Sequence, residues 1–118
     1  MLPKRYRLRR AKEVGQLRKQ GRAWRHPLAI LLVDSGADEP QQVSRFAFSA
    51  SRRVGNAVVR NRAKRLLRES VHQHLDEIET GWNCLFIARS LTPDASLAEV
   101  ETAVLQLLKR AKLLKRKS

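Results

Sequence analysis

The sequence is short of the features that mark secreted and membrane proteins. Its single cysteine, Cys84, has no partner for an internal disulfide and so gives secretion no support. The longest apolar run, residues 28–33, is far too short to span a bilayer. The basic residues 1–10 are followed by a charged stretch instead of the apolar segment of a signal peptide. We therefore expect a soluble, cytoplasmic protein that does not insert into a membrane.

Acidic residues are also scarce. The chain has 25 Lys and Arg against 11 Asp and Glu, which gives a formal net charge of +14 in 118 residues. Self-repulsion of this size opposes folding unless a polyanion offsets it, so nucleic acid, an anionic membrane surface or an acidic protein are the candidate partners. The length and the hydrophobic share of 42% predict one domain over residues 1–118. The basic ends, 1–10 and 112–118, are expected to be flexible.

The first half of the chain predicts a helix followed by two strands. Residues 11–20 are typical of a short helix that ends at Gly21. The continuous apolar run at 28–33 indicates a buried strand. Residues 43–51 alternate between apolar and polar side chains, which indicates a strand with one buried face.

The second half predicts a helix, a strand and a helix. The long helix covers residues 57–75, the strand covers 82–88, and Ser96 with Glu99 forms a capping box before the last helix. This order predicts an α+β sandwich with helices packed on a small sheet. The strands on either side of the long helix form a βαβ unit, which is normally right-handed when the strands are parallel neighbours.

The helix at 57–75 has two chemically distinct sides. At 100° per residue, one side collects the small and aliphatic residues Val59, Ala63, Leu66 and Leu67. The opposite side collects Arg60, Asn61, Lys64, Arg65 and Arg68. Most basic helix faces are merely solvated, but this one lacks the interleaved glutamates of such a face. Cations repeat about every 6 Å along its axis, which suits the phosphates of a nucleic acid.

Other side chains are weaker candidates for chemistry. His72, His74 and Cys84 do not have the number or spacing of zinc ligands. Trp24 and Trp82 could stack on bases, although Trp82 at a strand start is more often a core residue. The sequence has neither a Gly-rich phosphate loop nor a Ser/His/Asp pattern. We therefore predict no metal site and no catalytic residue in this chain.

The segment Arg60-Asn61-Arg62, followed by Lys64-Arg65 and Arg68-Glu69, resembles the RNR signature of the bacterial ribonuclease P protein family. The similarity continues upstream through residues 51–59 and reappears at residues 86–89. It covers nearly the whole chain. The resemblance implies a small, mostly antiparallel sheet in the order α-β-β-(β)-α-β-α, as in one domain of a small-subunit ribosomal protein. It also implies a left-handed βαβ crossover, against the general rule.

The resemblance further implies a role as accessory subunit of an endoribonuclease. Members of this family join a catalytic RNA that removes the 5′ leader from precursor tRNA, with Mg²⁺ held mainly by the RNA and the substrate. Catalysis would belong to the RNA, and no obligate protein partner is implied. The implied RNA-binding positions are Arg52, Arg53, Asn56, Arg60, Asn61, Lys64, Arg65 and Arg68. The implied leader-binding cleft contains Val14, Arg18, Arg45 and Ser49, and its first two members replace aromatics that are common in the family.

Two other functions compete with this interpretation. A non-enzymatic RNA-binding module, such as a ribosomal protein or RNA chaperone, has the same composition, but it would not distinguish precursor from mature tRNA. A basic amphipathic membrane helix would carry Trp, Phe and Leu opposite its charges. The side opposite the charges in this helix carries short aliphatic residues typical of a protein core.

Overall fold

A four-stranded sheet lies at the centre of the structure, a computed structural model that describes residues 2–35 and 43–115. The strands are β1 (Arg22–His26), β2 (Ala29–Asp34), β3 (Arg45–Ser49) and β4 (Asn83–Ala88). They lie in the order β1-β2-β4-β3. The pairs β1/β2 and β2/β4 are antiparallel, and β3/β4 is parallel. The predicted small, mostly antiparallel sheet is therefore confirmed.

Three helices cover the two faces of this sheet. They are α1 (Ala11–Gln20), α2 (Ala57–His72) and α3 (Leu97–Arg110), and the last begins with the predicted Ser96–Glu99 capping box. The element order α-β-β-β-α-β-α confirms the α+β fold. The strand β1 was missed by the apolar pattern because only Trp24 among its larger side chains packs on the core. The helix α2 ends at His72, three residues before the predicted end.

The two sheet faces carry cores of different size. The larger core lies between the sheet and α2 with α3, and it contains Phe46, Phe86, Leu67 and Leu107, all nearly inaccessible to solvent. The alternation predicted for 43–51 is confirmed, because Phe46 and Phe48 contact this core while Ala47 faces the other side. The smaller core lies under α1.

Close packing fixes the end of α1 at Gly21. This residue has φ −65° and ψ 145°, so it is extended instead of left-handed. A Cβ atom there would lie 2.5 Å from the Leu17 carbonyl oxygen and 3.3 Å from that of Val33. Glycine is needed mainly because the Leu17 carbonyl of the last turn of α1 lies too close for a Cβ atom, with β2 a second close neighbour, and not because the backbone requires a positive φ.

The crossover from β3 through α2 to β4 has a definite hand. The backbone N–H of Arg45 donates to the Trp82 carbonyl, so it points toward β4, while the Arg45 side chain points toward α1 and bonds Glu13. In an L-residue of a strand, these two directions determine on which side the neighbouring strand lies. Since α2 covers the opposite face, the crossover is left-handed. The general expectation of a right-handed unit is wrong here.

Both ends of the described chain pack on the domain. Leu2 and Leu8 are buried, and Leu8 donates its N–H to the Phe46 carbonyl along the outer edge of β3. At the other end Leu113 is buried, and the backbone of Lys115 donates to Glu77. These contacts attach both ends to the domain at Leu2, Leu8 and Leu113, and the flexibility expected of residues 1–10 and 112–118 stays a prediction. Residues 1 and 116–118 lie outside the described residues.

Candidate nucleic-acid interface

A capped turn places the start of α2. The Asn56 side chain is the N-cap: its Oδ1 accepts from the Val59 backbone N–H at 3.0 Å. Gly55 precedes it with φ 152°, and a Cβ atom there would lie 2.7 Å from the Val59 side chain. Arg52 and Arg53 lie in the turn before this point, and both are exposed. The turn therefore holds two cations next to the helix end where backbone N–H groups favour an anion.

Packing on the sheet fixes the rotation of α2. Ala63 and Leu67 are fully buried as predicted, whereas Val59 and Leu66 are only partly buried. Arg62 is turned away from the other cations, and its Nε donates to the Pro93 carbonyl at 3.0 Å. These contacts determine which basic side chains of α2 remain available to a ligand.

The predicted cationic side of α2 divides into two rows. The inner row consists of Arg60, Lys64 and Arg68, which are partly buried. The outer row consists of Asn61 and Arg65, which are exposed. None of the ion pairs found in residues 2–35 and 43–115 involves either row. The charges of both rows are therefore not neutralised by carboxylates in the described part of the chain.

The inner row borders a cleft along the outer edge of β3. The cleft has a volume of about 660 Å³. Its lining includes Val14 and Arg18 from α1, Ser49 from β3, and Lys64 and Arg68 from the inner row. Three of the four predicted leader-cleft residues and two of the predicted RNA-binding residues therefore meet in one depression. Its remaining lining residues are Leu2, Arg7, Leu8, Arg9, Phe46, Ala47, Phe48 and Leu85.

Two arginines of the cleft are held in place by their neighbours. Arg18 donates from Nη2 to the Ser49 Oγ at 2.9 Å, which links α1 to β3. The Arg68 guanidinium lies 5.7 Å from the centre of the Phe48 ring, a cation–π distance. Phe48 in turn stacks on Phe86 in the core, with ring centres 6.0 Å apart. The cleft therefore offers guanidinium groups in restricted positions beside an aromatic floor.

Arg45 differs from the other predicted cleft residues. Its Nη2 donates to the Glu13 carboxylate on α1, and it is absent from the cleft lining. The pairing neutralises its charge, so Arg45 ties α1 to β3 instead of presenting a free cation. In its place the basic segment before α1 contributes Arg7 and Arg9 to the cleft. These two cations were not predicted; the only signal for them in the sequence is the apolar Leu8 between them, which the structure buries.

The two tryptophans and the cysteine considered in the sequence pack against the larger core or lie within it. Trp24 and Trp82 are partly buried against the larger core, and the Arg22 guanidinium lies 5.3 Å from the Trp24 ring centre. Cys84 is fully buried, and burial raises the pKa of its thiol far above the ordinary range. In residues 2–35 and 43–115, no three His, Cys, Asp or Glu side chains are grouped to hold a metal ion. No helix in these ranges is long and apolar enough to cross a membrane.

His74 forms a small charged network away from the cleft. Its two ring nitrogens contact the carboxylates of Glu77 and Glu101. Burial lowers the pKa of His74, but hydrogen bonds and charge attraction from the two carboxylates outweigh it, so the pKa is raised above 6.5. The network links the segment after α2 to α3, and its strength depends on the protonation of one imidazole.

Comparison with known proteins places these features in a family. The family model described as Ribonuclease P matches residues 2–112. A "Ribonuclease P protein component" of Alkaliphilus oremlandii is 32% identical over 108 residues, which is 92% of each chain. One of Clostridium kluyveri is 35% identical over 93% of this chain and 97% of its own.

Solved structures of similar proteins have the same fold. The RNase P protein from Thermotoga maritima matches 88% of this chain and 96% of its own, with a TM-score of 0.76 and 25% identity. The Staphylococcus aureus RNase P protein matches 93% of this chain and 98% of its own, with a TM-score of 0.80. At 24% identity, that second likeness concerns the fold alone.

Proposed function

Because the chain belongs to the ribonuclease P protein family, as a protein subunit of that enzyme, we propose that it binds and positions RNA while the RNA subunit carries out catalysis. The reaction is removal of the 5′ leader from precursor tRNA. One observation carries the proposal: Lys64 and Arg68 belong to the cationic side of α2 and also line the cleft. Two RNA segments can therefore be held next to each other.

We assign the two RNA segments by the shape of each surface. The outer row of α2, with Arg52, Arg53 and Asn56 before it, is exposed and lies outside the cleft, so it suits the backbone of the folded catalytic RNA. The cleft has an aromatic floor and cations at its rim, which suit a flexible single strand such as the leader. Arg18 and Arg68 are the cleft residues we expect to contact leader phosphates.

The chemistry of these side chains supports binding rather than proton transfer. Guanidinium groups stay protonated at all physiological pH values, so they act as fixed charges and hydrogen-bond donors. The Mg²⁺ implied for the reaction is held, in this proposal, mainly by phosphates of the catalytic RNA and substrate. Since bacterial tRNA precursors are made in the cytoplasm, we place the protein there.

The deciding experiment is cleavage of a 5′-labelled precursor tRNA at low Mg²⁺. The catalytic RNA alone, the protein alone and the two together are compared, with release of an intact leader as the readout. We expect efficient cleavage only by the combination. A protein that leaves the rate of the RNA unchanged would be better explained as a non-enzymatic RNA-binding module, and equal affinity for precursor and mature tRNA would support the same conclusion.

The role of the outer and inner rows is tested by assembly with the catalytic RNA. Arg60→Ala and Arg65→Ala should each weaken assembly several-fold without changing the circular dichroism spectrum. Lys109→Ala on the exposed side of α3 removes the same charge elsewhere and is the matched control. About six phosphate contacts predict a log–log salt slope of about −4 to −5. A slope shallower than about −2, or an equal effect of the control, contradicts the assignment.

A further inference from the structure

A second group of arginines lies at the opposite edge of the sheet from the cleft. Arg110 donates from Nη1 to the carbonyl oxygen of Arg25 at 2.7 Å, and Arg89 donates from Nη1 to that of His26 at 3.2 Å. These two carbonyls belong to consecutive residues at the end of β1. Two guanidinium groups, one following β4 and one at the end of α3, are thus anchored on adjacent backbone carbonyls of β1, where Arg25 is itself an exposed cation. We call Arg25, Arg89 and Arg110 the edge cluster.

The edge cluster presents positive charge that no described carboxylate neutralises. The ion pairs found in residues 2–35 and 43–115 involve Glu13, Glu77 and Glu101, and none includes an edge-cluster arginine. All three arginines are exposed. Each anchored guanidinium uses one donor on a backbone carbonyl and keeps the others for a ligand. Anchoring also reduces the side-chain entropy that a ligand would have to remove.

The surface beside the cluster has room for a backbone phosphate. Arg25, Arg89 and Ser90 line a depression of about 370 Å³, together with His26 and Pro27. Leu91, 58% exposed, borders it and offers an apolar contact for a ribose. The combination of fixed guanidiniums, a hydroxyl and one isolated apolar side chain fits a sugar–phosphate backbone better than it fits a protein or a lipid surface.

The edge cluster is separate from the cleft. β1 and β3 are the two edges of the sheet, so three strand spacings of about 4.8 Å place them about 14 Å apart. The cleft lies beyond β3 and the edge cluster lies at β1. RNA bound at the edge cluster therefore lies at a different edge of the sheet from RNA in the cleft.

We propose that the edge cluster binds the phosphate backbone of a further RNA segment, so that the protein contacts RNA at both edges of its sheet. The proposal rests on the function proposed above, because it assigns the new segment to the same ribonucleoprotein. The segment is recognised by its phosphates and not by its bases. It can belong to the catalytic RNA or to the tRNA body, and the experiments below separate these two sources.

The first test compares the salt dependence of binding in three double variants. The variant Arg25→Gln with Arg110→Gln removes two phosphate-binding cations. The slope of log affinity against log salt concentration should therefore become shallower by about 1.5. This slope is measured for binding to the catalytic RNA alone and to the catalytic RNA with precursor tRNA. Lys109→Gln with Lys112→Gln removes the same charge nearby and should change it by less than half as much. Arg25→Lys with Arg110→Lys keeps the charge and should keep the slope.

The outcomes separate this proposal from the proposed function. A slope change seen only with precursor tRNA assigns the segment to the tRNA, and one seen with the catalytic RNA alone assigns it there. If the Gln pair binds like the control pair while Arg65→Ala still weakens assembly, the edge cluster is overturned and the proposed function stands. If Arg65→Ala is also without effect, the proposed function fails as well. A Lys pair that behaves like the Gln pair also contradicts the edge cluster, because charge is then not the cause.

A second test locates the segment directly and does not depend on stability. Ser90→Cys, modified with a photoactivatable crosslinker, lies beside the edge cluster, and Val58→Cys, at a 78% exposed position on α2, serves as the comparison. Native Cys84 is buried, so it will not compete for the reagent. In the holoenzyme with precursor tRNA, we expect crosslinks from the two positions to different RNA segments. Absence of RNA crosslinks from Ser90→Cys, with crosslinks from Val58→Cys present, overturns the proposal.

Discussion

Asn56 performs two tasks that substitution can separate. Its Oδ1 accepts from the Val59 N–H at 3.0 Å and so caps α2, while its amide nitrogen donates no hydrogen bond within residues 2–35 and 43–115. Asn56→Ala removes both groups. Asn56→Ser restores a capping oxygen but has no amide donor. We therefore expect the two variants to differ in stability and to agree in RNA binding.

The magnitude of each effect follows from the hydrogen bonds that each substitution removes. Loss of an N-cap side chain costs about 1 kcal/mol, and serine caps nearly as well as asparagine. For a domain of this size, 1 kcal/mol lowers the melting temperature by about 4 °C. Asn56→Ala should therefore melt about 4 °C lower than the wild type, and Asn56→Ser within about 1 °C of it. Loss of one hydrogen bond to RNA should weaken binding by about two- to tenfold in both variants.

The assays are thermal melting by circular dichroism and equilibrium binding to the catalytic RNA. Both are performed at one fixed salt concentration, because phosphate binding depends steeply on salt. Melting of Asn56→Ser as low as that of Asn56→Ala would refute the capping role. Wild-type RNA affinity of Asn56→Ser would show that the amide makes no contact, and Asn56 would then be a structural residue only.

Three further predictions concern stability and the cleft. Protonated His74 stabilises the fold fully below pH 6.5, and this contribution is lost as the pH rises through the raised folded-state pKa. The melting temperature should therefore fall with rising pH more steeply in the wild type than in His74→Gln. Parallel curves for the two proteins would disprove the contribution of His74 to stability. Leu67→Asp buries an unpaired charge and should abolish the native circular dichroism spectrum, whereas Val58→Asp at an exposed position should not. A native melting curve for Leu67→Asp would mean that this side of α2 does not face the core. Gly21→Ala forces a Cβ atom to within 2.5 Å of a backbone carbonyl and should lower both the melting temperature and the affinity for the leader. Gly15→Ala places its Cβ atom in open space and should be neutral or stabilising, so an equal effect of the two substitutions would refute the close packing at Gly21.

The sequence predicts α2 well because its function and its fold depend on the same periodicity. Ala63 and Leu67 face the core, and cations occupy the opposite side, so a helical projection separates them correctly. The division of the cations into two rows could not be predicted, because it depends on how far β3 and Phe48 extend beneath α2. The cap at Asn56 was not predicted, although asparagine directly before the first helical residue is a preferred N-cap.

The features that sequence analysis missed depend on contacts between distant parts of the chain. Arg45 looked like a free cation on an open strand face, but Glu13 lies beside it across a separation of 32 residues. Strand β1 has a weak apolar pattern because it is an edge strand, with one neighbour and mostly exposed side chains. The edge cluster is assembled from β1, the end of β4 and α3, so no local sequence motif predicts it.

The burial of Leu2 and Leu113 in one core has a consequence for synthesis of the protein on the ribosome. A core that joins these residues cannot close before Leu113 has emerged, although α2 is complete 41 residues earlier, at His72. At translation rates of about 5–20 residues per second, that interval lasts about 2 to 8 seconds. During it, the arginines of α2 belong to an unfinished nascent chain surrounded by ribosomal RNA. The arginines of α2 therefore take up one defined geometry only after α3 has been completed.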